Sequence, residues 1–199
     1  MLRYLVILSC LAFPALAQVS LDDLNAEVDA RAKELTTFED ALADTDEKKA
    51  LAAMQILIER GDADQKRMAI RSGLYSTKLA MRSEVLRAIF NSAPSINVYM
   101  KPLTEKPTSQ YIGFVKRNSG ALQTDGRGSI VIKVGPWKPE EQCWLYQKNT
   151  NYCLATLNAD VVSMSLATWV QLTLDESGTL RGTSELEGTP VEVSIPLAQ

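Results

Sequence analysis

The sequence predicts an α+β protein in which about four helices, arranged as N-terminal helical hairpins, precede an antiparallel β-sandwich or small β-barrel of about eight strands. Apolar residues recur at helical spacing up to about residue 94, whereas from Ser95 onward strand-length segments rich in β-branched and aromatic residues alternate with turn residues. Apolar residues make up 46% of the chain and charged residues 23%, which is typical of a globular protein. We therefore divide the chain into a leader, residues 1–17, a helical segment, residues 18–94, and a β-rich domain, residues 95–199.

The leader has the three regions of a cleavable signal peptide. Arg3 makes the start positive, Leu5–Phe13 is apolar, and Ala15-Leu16-Ala17 places small residues before a cleavage site after Ala17. The apolar run is shorter than the about 20 residues that span a bilayer, and no later stretch is long enough either. We expect a periplasmic or secreted protein without a transmembrane helix in the mature chain. An alternative is a lipid anchor at Cys10, because Ile7–Cys10 resembles a lipoprotein box.

The first helix of the mature chain is predicted to begin after Ser20, which can cap it. The apolar residues that follow are spaced by alternating steps of three and four positions, with Arg31 at the one step that is not apolar: Leu21, Leu24, Val28, Leu35, Phe38 and Leu42. This spacing indicates a short coiled coil over residues 21–42, through which the chain would self-associate. The alternative is a helix that lies on the protein's own body.

Three more helices complete the helical segment. We expect the second over about Asp46–Arg60 and the third from an Asp62–Gln65 capping box to about Ser72, with Gly73 as its stop. The fourth is expected over about Thr77–Asn91, with Ser76 or Thr77 as its cap.

The β-rich domain is predicted to contain no helix. Turn signals stand at Asp125-Gly126 and at Glu176–Gly178. The expected strands are Ile96–Lys101, Tyr111–Lys116, Ser129–Gly135, Cys143–Gln147, Tyr152–Leu157, Thr168–Asp175, Thr179–Glu185 and Val191–Leu197.

Cys143 and Cys153 are expected to form a disulfide bond, because they would lie in an oxidising compartment and flank a turn-like stretch, Lys148–Asn151. Their separation suits a hairpin with a three- or five-residue loop and excludes a two-residue loop. Closing so short a loop would stabilise the fold by about 3 kcal/mol. A redox pair is the alternative, but the spacing is not C-x-x-C.

The composition excludes several classes of site. The chain contains no histidine, so it holds no Ser–His–Asp or Cys–His set and no imidazole metal ligand, and we expect no cofactor, metal or catalytic residue. The net charge of −3 argues against nucleic-acid binding. Adjacent Glu140 and Glu141 would point to opposite faces of a strand, so they match poorly with the paired carboxylates of a hydrolase acting on glycan or peptide.

Basic side chains are concentrated in residues 48–87, after an acidic stretch over residues 21–47. The helical segment thereby presents Lys66, Arg67, Arg71, Lys78 and Arg82 as a candidate basic surface. These residues could be solvated, could pair with the acidic stretch, or could bind phospholipid head groups or an acidic partner. The last option describes a membrane-surface-associated accessory protein.

Aromatic residues of the predicted strands are the candidate binding residues: Trp137, Trp144, Tyr146 and Trp169. Exposed aromatics bind sugar rings or a protein partner, whereas buried ones fill a core. Together with the leader and the missing catalytic set, they lead us to expect an exported, non-enzymatic envelope protein that binds an unknown protein or an envelope glycan. The carboxylate-dependent hydrolase and the membrane-surface protein are the alternatives.

Overall fold

The computed structural model describes residues 20–198, so the predicted signal peptide, its cleavage site and the alternative anchor Cys10 lie outside the described residues. The described residues form two compact units, one that extends to Thr37 and one that begins at Phe38. Helix α1, Leu21–Leu42, starts in the first unit and ends in the second. Ser20 Oγ accepts a hydrogen bond of 3.1 Å from the Asp23 N–H, which confirms Ser20 as the cap of α1.

Three further helices follow: α2 is Glu47–Arg60, α3 is Ala63–Leu74 and α4 is Leu79–Asn91. The capping box between Asp62 and Gln65 is confirmed. We predicted that Gly73 ends α3, and this is wrong. Gly73 lies inside the helix, where α3 and α4 pack closely. A Cβ atom added there would lie 2.7 Å from Val85 Cβ. Helix α4 begins two residues later than predicted, and its N-cap is Lys78 rather than Ser76 or Thr77. Ser76 Oγ instead accepts the Lys78 N–H in the turn before the helix.

The β-rich region is a closed antiparallel barrel. Its strands are β1 Ser95–Pro102, β2 Ala121–Leu122, β3 Gly128–Lys138, β4 Cys143–Tyr146, β5 Asn149–Asn158, β6 Val161–Ser165, β7 Trp169–Leu174, β8 Thr179–Leu186 and β9 Thr189–Pro196. Strand β1 pairs with both β9 and β3, which closes a barrel of eight strands, and β2 is an extra strand beside the start of β3. The predicted fold class, helices followed by a small antiparallel barrel, is confirmed.

The prediction of a strand over Tyr111–Lys116 is wrong, because this segment belongs to helix α5, Ser109–Arg117. Thr108 Oγ accepts the Tyr111 N–H at 3.1 Å and caps the helix. Tyr111, Phe114 and Val115 are buried on one side of it. Their spacing of three and four residues is helical, so packing overrides the β preference of these residue types. Strands β2 and β6 were not predicted.

The disulfide bond between Cys143 and Cys153 is confirmed, with a Cα–Cα distance of 5.7 Å. The predicted loop length is wrong. Tyr146 pairs with Asn149 across a two-residue turn, and the register then shifts so that Leu145 pairs with Cys153. The extra residues that make the spacing between the two cysteines odd therefore lie in an irregular part of β5, and not in the loop as we had predicted.

Two apolar clusters hold the second unit together. The larger one fills the barrel and includes Phe90 of α4 and Tyr111 of α5. The smaller one joins the helices around Met54, Leu57 and Met81. Helix α4 contributes to both clusters, so it attaches the helices to the barrel.

Candidate functional site

Trp144, one of the predicted binding aromatics, is fully buried. Its ring lies 5.1 Å from that of Phe90 and 4.7 Å from that of Trp137, measured between centroids. The indole N–H donates a hydrogen bond of 2.9 Å to Asn91 Oδ1. Trp144 is therefore a core residue that joins α4 to the barrel, which agrees with the alternative to ligand binding.

The other predicted aromatics are more accessible but do not form one surface. Trp137 is half-buried, and the Arg87 guanidinium stands 5.6 Å from the centre of its ring. Tyr146 is half-buried and its hydroxyl donates to the Ser165 carbonyl. Trp169, which pairs with Ser165 in the sheet, is 50% exposed. Only the last of these presents a largely open ring.

Two of the predicted basic residues hold the protein's own structure together. The Arg82 side chain is 19% exposed, its Nε lies 3.1 Å from Asp160 Oδ2, and its Nη2 donates to the Leu174 carbonyl. Lys78 Nζ donates a hydrogen bond of 3.2 Å to the Asp44 carbonyl. Arg82 therefore ties α4 to the barrel, and Lys78 ties the start of α4 to the turn that follows α1.

The remaining three basic residues, Lys66, Arg67 and Arg71, line one groove of about 740 Å³ on α3. Its other lining residues are Ala63, Ile70, Leu74, Tyr75, Ile89, Leu197 and Ala198. The α3 residues recur every three or four positions, so one face of this helix forms a wall of the groove. Residues of α4 and of the segment after β9 complete it.

The charge of this groove is only partly compensated. Arg67 Nη2 lies 3.1 Å from Asp64 Oδ1, an exposed ion pair within α3. Lys66 and Arg71 make no ion pair with any residue between 20 and 198, and both are exposed. An apolar surface with uncompensated positive charge at its edge suits a ligand that is itself apolar on one side and anionic on the other.

Sequence reasoning found the cations of this groove but not its apolar surface. Ile70 and Leu74 are four residues apart on α3, and this spacing was an available signal for an apolar face. Ile89 and Leu197 come from distant parts of the chain, and only the fold brings them to α3.

A cluster of potential metal ligands lies at the disulfide bond. Glu141 Oε2 is 3.2 Å from Cys153 Sγ and 4.0 Å from Cys143 Sγ. The two sulfur atoms are bonded to each other, so they carry no thiolate to coordinate a metal. Lys138 Nζ lies 2.6 Å from Glu141 Oε1. Glu141 therefore has a cationic partner of its own, and we assign no metal site here.

Acidic side chains of the β-rich region do not gather in the groove on α3 or in the pocket on the barrel. Glu140 is exposed next to Glu141, and Asp160 pairs with Arg82. Glu192 lines a pocket on the barrel, together with Arg181 rather than with a second acid. These positions lend no support to a carboxylate-dependent reaction.

Comparisons of the chain with protein-family models, with curated proteins and with solved structures return no match. Within residues 20–198 no helix has the length and apolar character needed to cross a membrane. The first part of α1 exposes Leu21, Leu24 and Val28, with 70%, 47% and 56% of their surfaces accessible. Self-association through residues 21–42 stays a prediction.

Proposed function

We propose that this protein is an exported, non-enzymatic binding module of the cell envelope, whose groove on α3 receives an acidic, amphipathic segment of a partner protein. The observation that carries the proposal is the convergence of Lys66, Arg67 and Arg71 on one groove with an apolar surface. The disulfide bond and the predicted signal peptide support folding outside the cytosol.

A helical ligand fits the chemistry of this groove. An amphipathic helix lays apolar side chains at positions i, i+3, i+4 and i+7 into an apolar groove, which here would cover the half-buried Ile70, Ile89 and Leu197. Acidic residues at the edge of such a helix would meet Lys66 and Arg71. These contacts lie at the rim, so they would mainly speed association and fix orientation.

An anionic membrane surface is the second candidate, since it would attract the same cations. The shape of the site favours a protein segment. A flat bilayer meets protruding side chains, whereas the apolar residues of this groove line a concavity. The two ligands differ in one measurable respect, because vesicles would bind without any partner protein.

Charge reversal of the groove tests the proposal. Tyr75 lines the groove and is 47% exposed, so a photo-crosslinking residue placed there should give a discrete adduct in cells that produce the protein. The partner peptide recovered from this adduct should be acidic and amphipathic. The double change Lys66→Glu and Arg71→Glu should lower the adduct yield about tenfold, a loss of about 1.4 kcal/mol in binding free energy.

The matched control is Lys48→Glu with Lys49→Glu, which changes the net charge equally at exposed positions of α2 outside the groove. It should leave the adduct unchanged. Equal yields from the two double variants would contradict the proposal. Sedimentation of the purified chain with anionic vesicles at low salt, abolished by the groove variant, would favour the membrane instead.

A further inference from the structure

A second concave site lies on the outer face of the barrel around Tyr99, a residue that sequence reasoning did not single out. The pocket has a volume of about 380 Å³ and spans strands β3, β1, β9 and β8. Tyr99 lines it from β1, between β3 and β9, and is 46% exposed. Its cross-strand neighbours are Ser129 on one side and Ser194 on the other. Because both neighbours are small, they leave the tyrosine ring accessible within the sheet surface.

Polar groups around this ring have no hydrogen-bond partner among the residues that the structure describes. The hydroxyls of Tyr99, Ser129 and Ser194 and the side-chain amide of Gln123 make no hydrogen bond to any other residue between 20 and 198. They surround an aromatic face with groups that both donate and accept hydrogen bonds. A few such groups around an apolar surface are what orient a small ligand in a pocket.

The charges of the pocket compensate one another, unlike those of the groove on α3. Arg181 Nε lies 2.6 Å from Asp175 Oδ2, and Arg181 Nη1 lies 3.3 Å from Glu192 Oε1. Glu192 is also the cross-strand neighbour of Lys101. Arg127 Nε lies 2.7 Å from Asp125 Oδ2. Both guanidinium groups of the site therefore have carboxylate partners, and Glu192 also lies opposite Lys101, so these carboxylates offset most of the positive charge that could attract a phosphate or another anion.

We propose that the Tyr99 pocket binds a neutral carbohydrate, with one pyranose ring stacked on the Tyr99 ring. A pyranose offers a face of C–H bonds that packs on an aromatic ring, and its hydroxyls point outward along its edge, where Ser129, Ser194 and Gln123 can bond them. The Arg181 guanidinium, whose positive charge faces Asp175 and Glu192, supplies its remaining N–H groups as further donors. This site is separate from the groove on α3, so the failure of one proposal leaves the other standing.

Saturation-transfer NMR of the mature, oxidised chain tests this site, with the neutral β-1,4-linked tetrasaccharides of glucose and of N-acetylglucosamine as probes. We expect at least one probe to bind, with the strongest transfer to the ring C–H protons. Tyr99→Ala should weaken binding by about tenfold or more. Tyr99→Phe keeps the ring and should retain most of the affinity.

The matched control is Tyr152→Ala, which removes a tyrosine that is 65% exposed on β5 and does not line the pocket. It should bind the sugar as the unchanged chain does, and far-ultraviolet circular dichroism should show each variant folded. Failure of both probes to bind at millimolar concentration would overturn the proposal. So would equal binding by Tyr99→Ala, or displacement of the sugar by inorganic phosphate at equal concentration.

Discussion

Asp175 accepts hydrogen bonds within a turn and also pairs with Arg181, which lines the pocket around Tyr99. Its Oδ1 accepts the backbone N–H groups of Ser177 and Thr179, and its Oδ2 lies 2.6 Å from Arg181 Nε. Partial burial raises the pKa of Asp175, but the hydrogen bonds from Ser177 and Arg181 and from the backbone outweigh it and lower the pKa to about 2. The negative charge of Asp175 thus stabilises the turn between β7 and β8.

This pKa predicts an acid-dependent loss of stability. The pKa of an aspartate in the unfolded chain is about 3.9. The contribution of Asp175 to the free energy of unfolding is therefore fully present above that pH and is lost as the pH falls towards about 2. Asp175→Asn should lower the free energy of unfolding by about 1 kcal/mol at pH near 7. The difference between the two proteins should shrink below about pH 4. Urea unfolding at several pH values measures it, and a difference that does not change with pH would contradict the assignment.

At the scale of elements, the caps and the apolar spacing predict that four helices form the first half, but they misplace the end of α3 and the start of α4. Ser20 and Asp62 each precede an apolar repeat of three and four residues, and both cap helices in the structure. Helix α5 was not predicted, because its apolar residues, Tyr111, Phe114 and Val115, also favour strands. Thr108 was the available signal, since it stands at the N-cap position.

The functional surfaces were predictable only in part. The cations of the α3 groove stand out in the sequence, whereas its apolar surface is assembled from α3, α4 and the segment after β9. The alternation in β1 places Tyr99 on the polar face, opposite Val98 and Met100. That pattern shows exposure, but only the barrel's register shows that Ser129 and Ser194 flank the ring.

The contact between α3 and α4 gives a prediction at the same scale. Gly73→Ala should lower the free energy of unfolding by about 1–3 kcal/mol, because the added Cβ would lie 2.7 Å from Val85 Cβ and 3.0 Å from Met54 Cε. Gly113→Ala in α5 is the matched control. Its Cβ would meet only the end of the Arg117 side chain, at 3.1 Å, so the higher helix propensity of alanine should leave stability unchanged or raise it by up to about 1 kcal/mol.

Chemical denaturation of the two glycine variants provides the test. If Gly73→Ala proved as stable as Gly113→Ala, then close packing of α3 against α4 would not be what requires glycine at position 73.

At the scale of the whole molecule, the second unit combines helices and barrel. Helix α4 packs Phe90 against Trp144 and anchors Arg82 to Asp160, so the α3 groove is built on the same framework as the barrel. The disulfide bond closes a short hairpin in that barrel, with a contribution of about 3 kcal/mol on the chain-entropy account. Such a bond persists in an oxidising compartment, which is where envelope partners and glycans are found.

The intact mass of the protein, recovered after fractionation of cells that produce it, tests this account most directly. We expect envelope or medium fractions to yield a chain that begins at Gln18, two hydrogen atoms lighter than its reduced form because Cys143 and Cys153 are joined. A chain that still carries residues 1–17, found in the cytosol with free thiols, would contradict export and with it the proposed binding partners.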